Sequence, residues 1–192
     1  MIPELRVHLI GISGTGLSAI ARVLLERGCQ VSGSDLLLNA QASQLQAAGA
    51  RILIGHRAEN IQGADVVVRS SAVSDDNVEV MAAQAAGIPV LKRSEFLAQL
   101  IADQDSIAIA GSHGKTTTTA MLTWVLVALG LDPSYIIGGV SANLNTNAHA
   151  GQGQYFVIEA DEYDRMFLGL HPSLAVVTNI EHDHPDCFPT PE

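Results

Sequence analysis

Short apolar runs alternate with helical patterns through the first hundred residues, and this alternation constrains the fold more than any other feature. Val7–Ile12, Gln30–Ser34, Arg51–Ile54 and Asp65–Arg69 read as strands. Between them, Leu17–Arg27, Ala42–Ala48 and Asn77–Ala86 carry Ala, Leu and Glu at helical spacing, and each run closes on a glycine: Gly28, Gly49 and Gly87. Glycine just past a helical run is a stop signal, because it takes the left-handed conformation that ends a helix. Strands joined through helices run parallel, so the pattern predicts an α/β fold built on a Rossmann-like, doubly wound parallel sheet. Ile88-Pro89-Val90 adds a short fifth strand, and Ser94 caps a helix over Glu95–Ile101.

Asp103-Gln104-Asp105 reads as a join, which gives domains over 1–103 and 104–192. Beyond it the pattern restarts: Ser106–Ala110 as a strand, a glycine turn, then a helix from Lys115 to Leu129. Gly130 and Pro133 stop that helix. Tyr135–Ile137, Tyr155–Glu159 and Leu174–Asn179 read as further strands, and Gly138–Gly153, rich in Gly, Asn, Ser and Ala, reads as loop. With no closing helix after its last strand, the second unit is expected to be an incomplete P-loop-type α/β domain.

Charge narrows the function. Acids outnumber bases 20 to 10, a net −10, which argues against a nucleic-acid partner because phosphate contacts need clustered Lys and Arg. The excess is uneven: residues 1–100 hold nine acids and eight bases, residues 101–192 eleven and two. The acidic half is either a solvated face or a site that expects cations, such as magnesium arriving with nucleotide phosphates. Two distant cysteines, Cys29 and Cys187, make neither a disulfide framework nor a zinc pattern, which favours a reducing compartment. The longest weakly polar run, Ala120–Leu131, is 12 residues, short of the ~20 that span a bilayer. No basic-then-apolar leader opens the sequence. The expectation is a cytoplasmic protein with no membrane partner.

The strongest motif is Gly111-Ser112-His113-Gly114-Lys115-Thr116-Thr117, between a strand and a helix. A glycine turn lets backbone N–H groups face a phosphate, and the helix N-terminus adds partial positive charge. Lys115 is then placed for the outer phosphates of ATP and Thr116 for Mg2+. The spacing is two residues shorter than the standard phosphate loop, with Ile109 where its first glycine would stand. Gly11-Ile12-Ser13-Gly14-Thr15-Gly16 resembles a dinucleotide turn with Ser13 in place of the middle glycine. Asp35 follows 19 residues after Gly16, where an acid would meet a ribose hydroxyl. That turn suits NAD or any ligand carrying ribose and pyrophosphate, with a plain tight turn as the lesser alternative. Arg69-Ser70-Ser71-Ala72 ends the fourth strand, where α/β sheets bind ligands or where a helix is simply capped. In Glu159-Ala160-Asp161-Glu162-Tyr163-Asp164, Glu159 ends an apolar strand and is the acid chosen to support magnesium; the other acids are read as solvated or capping. His182-Asp183-His184 invites a metal reading, with structural packing as its rival, whereas His8, His56, His149 and His171 have no comparable company.

Together these blocks resemble the Mur ligase family of ATP-dependent, amide-forming enzymes of peptidoglycan synthesis. The likeness rests on Gly111–Thr118 with its short spacing, on Glu159-Ala160-Asp161-Glu162, and on Thr178-Asn179-Ile180 followed by Asp183-His184. Gly11–Gly16, Ser34-Asp35, Gly55-His56 and Ser70-Ser71-Ala72 place the first domain nearest the branch that joins L-alanine to UDP-N-acetylmuramic acid, while Tyr163 is similar to the branch that recycles a murein tripeptide. The resemblance implies that Lys115 neutralises the ATP β/γ-phosphates, Thr116 holds one magnesium, and Glu159 and His184 support a second. It implies a UDP-sugar held at Gly14, Thr15 and Gly16 for pyrophosphate, with Asp35, Ser70 and Ser71 for ribose or uracil. It also implies a ligase fragment, inactive alone. A non-catalytic UDP-sugar-binding module and an NAD-dependent oxidoreductase remain as rivals.

Overall fold

The computed structural model describes residues 4–182 and 190. They form two compact units that divide between Phe96 and Leu97. In the first, β1 (Arg6–Ile10), β2 (Gln30–Asp35), β3 (Arg51–Ile54), β4 (Val66–Arg69) and β5 (Val90–Lys92) make one sheet in the order β3-β2-β1-β4-β5, every pair parallel. The chain leaves β1 toward β2 on one side and returns to β4 on the other, so the strand order reverses between β1 and β4. Open α/β sheets hold ligands beyond the carboxyl ends of strands at such a reversal.

Helices α1 (Thr15–Glu26), α2 (Ala40–Ala47) and α3 (Val78–Ala85) connect these strands, and α4 (Arg93–Ile101) follows β5. The expected Rossmann-like architecture is therefore present. β1 and β4 are buried on both faces, which is why Val7, Leu9 and Ile10 of β1 and Val66, Val67 and Val68 of β4 are apolar, with the buried His8 the exception within β1. Leu17, Ile20, Val23 and Leu24 supply the buried stripe of α1. That helix ends where the N–H groups of Gly28 and Cys29 return to Leu25 and Leu24, with Gly28 at φ 81°. Ile10, Val67, Val80 and Ala83 pack together beneath α3. A 3-10 turn at Ala58–Ile61 was not foreseen.

In the second unit the order is β10-β6-β9-β7-β8, from β6 (Asp105–Ala110), β7 (Ser134–Ser141), β8 (Thr146–His149), β9 (Tyr155–Glu159) and β10 (Leu174–Val177). All pairs are parallel except β7 with β8. Helix α5 (Lys115–Ala128) leaves β6 and packs Leu126 on Tyr135, Ile137 and Val157. The loop expected over Gly138–Gly153 is corrected here. Its first residues extend β7, and Thr146–His149 returns antiparallel beside it. Asn145, at φ 55°, makes the tight turn between them. No helix among the described residues is long and apolar enough to cross a membrane.

Candidate functional site

In the first unit, the turn after β1 is fixed from β2. Gly11 and Ile12 donate their N–H groups to the Ser34 carbonyl, at 2.8 and 3.2 Å. The Asp35 carboxylate accepts from the Ser13 and Leu36 N–H groups at 2.9 and 2.8 Å. Ser13 Oγ donates to the Leu37 carbonyl at 3.0 Å, so the serine in the middle position ties the turn to the segment after β2. Gly14 and Thr15 are exposed at the start of α1, where first-turn N–H groups have no partner within the helix. Asp35 thus shapes the turn as well as standing at the end of β2. Ser70 lies against Gly11, its Cβ 3.2 Å from where a Gly11 Cβ would stand, and its N–H donates to the Ile10 carbonyl. Ser71 is exposed beside it. The six residues expected at a UDP-sugar therefore gather along the carboxyl edge of β1, β2 and β4. Arg93 was missed: its guanidinium lies so close over Gly16 that any Cβ there would strike it, bringing a cation to the first turn of α1.

A buried carboxylate lies beneath the same edge. Glu79 is fully enclosed on α3 and accepts from Ser34 Oγ at 2.5 Å, Asn60 Nδ2 at 2.5 Å and the Arg57 N–H at 3.2 Å. His8 Nε2 and His56 Nδ1 stand 3.4 and 3.5 Å away. Burial pushes its pKa up, but hydrogen bonds from His8, Ser34 and Asn60, with the charge of His8, outweigh this and hold it at about 2. Two histidines that have no company in sequence thus share one acid in space.

In the second unit, the phosphate loop runs from the end of β6 into α5. Gly111, at φ 132°, passes so close to β10's exit that a Cβ would collide with Thr178 Oγ1 and stand 2.9 Å from the Asn179 carbonyl. The Ser112 N–H donates to that carbonyl at 3.2 Å, and the His113 N–H to Asn179 Oδ1 at 2.8 Å. Thr178 Oγ1 donates to the His113 carbonyl at 2.6 Å. Ser112 Oγ exchanges bonds with the Glu181 backbone. The first half of the loop is therefore held by the Thr178–Glu181 segment. The N–H groups of Lys115, Thr116 and Thr117, in the first turn of α5 after Gly114, are the ones free of intrahelical partners.

Lys115 Nζ folds over the loop, donating to the Gly111 and Ser112 carbonyls at 2.7 and 3.3 Å and to Glu162 Oε1 at 2.8 Å. Glu162, expected to be solvated or capping, is instead the partner of that lysine. Thr116 Oγ1 donates to Glu159 Oε2 at 3.2 Å, and the Gly138 N–H to Glu159 Oε1 at 2.6 Å. Burial raises the Glu159 pKa, against the opposing pull of Gly138, Thr116 and Lys115, with Asp161 adding to the rise. A cation beside this carboxylate would offset its desolvation. Thr116 and Glu159 offer hard oxygen donors on one spot, which suits magnesium held by few protein groups and completed by phosphates and water. Among the described residues no three acids, histidines or cysteines cluster as a ready-made metal cage. His184, the other expected support, lies outside the described residues. Gly138 was hidden in the misread loop; a Cβ there would come 2.6 Å from Glu159 Oε2, so only glycine lets the carboxylate lie where it does.

A parallel sheet with a glycine turn, followed by a sheet in which β6, beside the edge strand β10, feeds a lysine-bearing loop, defines a two-unit α/β protein. Residues 6–105 match the Mur ligase family, catalytic domain, and residues 109–192 match the Mur ligase middle domain. The chain belongs to the Mur ligase family. It is 52% identical over 182 residues, 95% of its length, to a UDP-N-acetylmuramate–L-alanine ligase from Burkholderia lata. It spans 39% of that relative's length. A UDP-N-acetylmuramate:L-alanyl-gamma-D-glutamyl-meso-diaminopimelate ligase from Neisseria meningitides superposes with a TM-score of 0.88 at 34% identity, covering 96% of this chain and 63% of that one. A UDP-N-acetylmuramate-alanine ligase from Thermotoga maritima also gives 0.88, at 31% identity over 97% of this chain and 44% of that one.

Proposed function

We propose that this chain carries the UDP-sugar-holding and ATP-holding parts of a cytoplasmic ligase that joins L-alanine to UDP-N-acetylmuramic acid. The carrying observation is the cluster of Lys115, Thr116 and Glu159 at the carboxyl ends of β6 and β9, on a phosphate loop of Mur ligase spacing. In this reading residues 1–103 hold the UDP-sugar, with Gly14, Thr15 and Gly16 at the pyrophosphate and Asp35, Ser70 and Ser71 at the nucleoside. Residues 104–192 hold ATP at Gly111–Thr117, and Thr116, Glu159 and His184 hold Mg2+, which supplies charge neutralisation at the transferring phosphate.

The muramic acid carboxylate attacks the γ-phosphorus of ATP, ADP leaves, and an acyl phosphate forms. The amine of the amino acid then attacks the acyl carbon, phosphate departs, and the amine gives up a proton as the amide closes. The protein's part is positioning and charge stabilisation. Lys115 exchanges Glu162 for the phosphates, and the first-turn N–H groups of α5 donate to phosphate oxygens. A second reading, with a peptide as the amine, is favoured by the 0.88 superposition on the diaminopimelate-peptide ligase. It uses the same residues of this chain.

The test is calorimetry of the 192-residue chain with Mg-ATP and with UDP-N-acetylmuramic acid. Saturable binding of both is expected, with Lys115→Ala weakening ATP ~10-fold or more through a lost charge-assisted bond while leaving the UDP-sugar untouched. ATP binding indifferent to Lys115 would remove the phosphate-loop reading.

A further inference from the structure

The buried acid beneath the first sheet's carboxyl edge fixes the chemistry of a histidine at its rim. Glu79 can only accept hydrogen bonds, so the single hydroxyl proton of Ser34 is committed to it at 2.5 Å. Ser34 Oγ therefore meets His56 Nδ1, 3.1 Å away, as an acceptor, and Nδ1 carries the proton. In the neutral ring Nε2 is then a lone-pair acceptor. His8 is spent on Ser32 and Glu79, with no exposed surface. His56 differs: its side chain is 20% exposed, and Nε2 has no hydrogen-bond partner among the described residues.

Its position is equally constrained. His56 follows Gly55 at the carboxyl end of β3, and the Gly55 N–H donates to the Asp35 carbonyl at 2.8 Å. Asn60 Nδ2 bridges the Gly55 carbonyl and Glu79, and the Arg57 N–H is bonded to Glu79, so the segment around His56 is clamped on both sides. The ring therefore stands beside the end of β2, where a nucleoside reaches away from a phosphate on the β1 turn.

We propose that His56 is a specificity-determining residue of the nucleoside subsite, accepting at Nε2 a hydrogen bond from the uridine part of the ligand, and that Glu79 is the positioning residue that sets its tautomer. This rests on the UDP-sugar reading above. Uridine offers donors of this kind at the base N3–H and at the ribose hydroxyls. An acceptor on a clamped ring rejects a ligand lacking the matched donor, because its lone pair would be left facing another acceptor.

The two nitrogens can be separated by isosteres. In His56→Asn the side-chain amide overlies Nδ1 and keeps the inward bond to Ser34, while nothing reaches out. In His56→Gln the amide oxygen reaches the place of Nε2 and accepts. Calorimetry of the full chain with UDP, CDP and 2′-deoxy-UDP is expected to show UDP weakened ~10-fold in His56→Asn and partly restored in His56→Gln. The preference of the wild type for UDP over CDP, or over the deoxy form, should shrink in His56→Asn, and the one that shrinks names the donor. In the wild type, the 15N signal of His56 Nε2 should have unprotonated character and shift on adding UDP, a reading that needs no variant to fold. Equal UDP binding by wild type and His56→Asn, or an Nε2 signal unmoved at saturation, overturns the inference while the UDP-sugar reading stands. A wild type that binds no UDP overturns both.

Discussion

At the scale of single residues, Glu79 contributes acid-dependent stability. Its folded pKa of about 2 lies below the ordinary 4.5, so the folded state favours the ionised form. The contribution is complete above about pH 4.5 and is lost as pH falls through about 2. A displacement of that size is worth about 3 kcal/mol. Urea unfolding followed by the backbone amide signals of β1 should show wild type more stable than Glu79→Gln at pH 7. The gap should narrow by about 3 kcal/mol by pH 2. A gap independent of pH would mean that the folded state does not hold the Glu79 pKa below its unfolded value. Glu79 also marks where sequence reading stopped. His8, His56 and Glu79 are 71 residues apart at the extremes, on a strand, a loop and a helix. No spacing rule connects them; only the parallel sheet does, by bringing the carboxyl ends of β1, β2 and β3 to one edge. Lys115 and Thr116 were legible because the loop's chemistry is local, whereas the Glu162 and Asn179 partners come from elements 47 and 66 residues away.

At the scale of elements, β7 and β8 hold the clearest lesson. Gly138, Gly139, Asn143 and Asn145 gave the stretch a loop-like composition, and Thr146–His149 has little apolar character. It is nonetheless strand, because antiparallel pairing with β7 decides the conformation of an edge segment over its propensity. The glycines there answer a functional neighbour. Gly138 leaves room for Glu159, while a Cβ on Gly139 would meet only Thr116 Cγ2 at an ordinary 3.7 Å. Gly138→Ala should therefore push the Glu159 carboxylate off Thr116 and weaken magnesium-dependent ATP binding ~10-fold, about 1.4 kcal/mol. ATP binding measured in a chelator should be unchanged, and Gly139→Ala should behave as wild type in both. Equal Mg-ATP affinity for the two alanine variants would show that Glu159 does not serve the metal. Helix ends were more legible than this hairpin, since Gly28, Gly49 and Gly87 all adopt positive φ as their positions demand.

At the scale of the whole molecule, the acidic excess lies in the half that is proposed to bind the more highly charged ligand, with eleven acids against two bases beyond residue 100. An ATP site in such a field depends on the metal for its net attraction, since Lys115 already faces Glu162 and Glu159. The first half, near neutral, depends on helix and backbone dipoles with Arg93. Each half has its own five-stranded sheet and its own buried cluster, so each is expected to unfold as a cooperative step and to respond to its own ligand. Trp124, the single tryptophan, sits on α5 and reports the second unit alone. At a ligand concentration 100 times its dissociation constant, binding stabilises by about 2.7 kcal/mol. Mg-ATP should shift the denaturant transition seen by Trp124 fluorescence by that amount, and ATP without magnesium by much less. UDP should leave the fluorescence transition in place and shift only the transition followed by the amide signals of β1. A fluorescence transition that moves equally with UDP would mean that the two halves unfold as one body, and the assignment of one ligand to each would then need a probe other than stability.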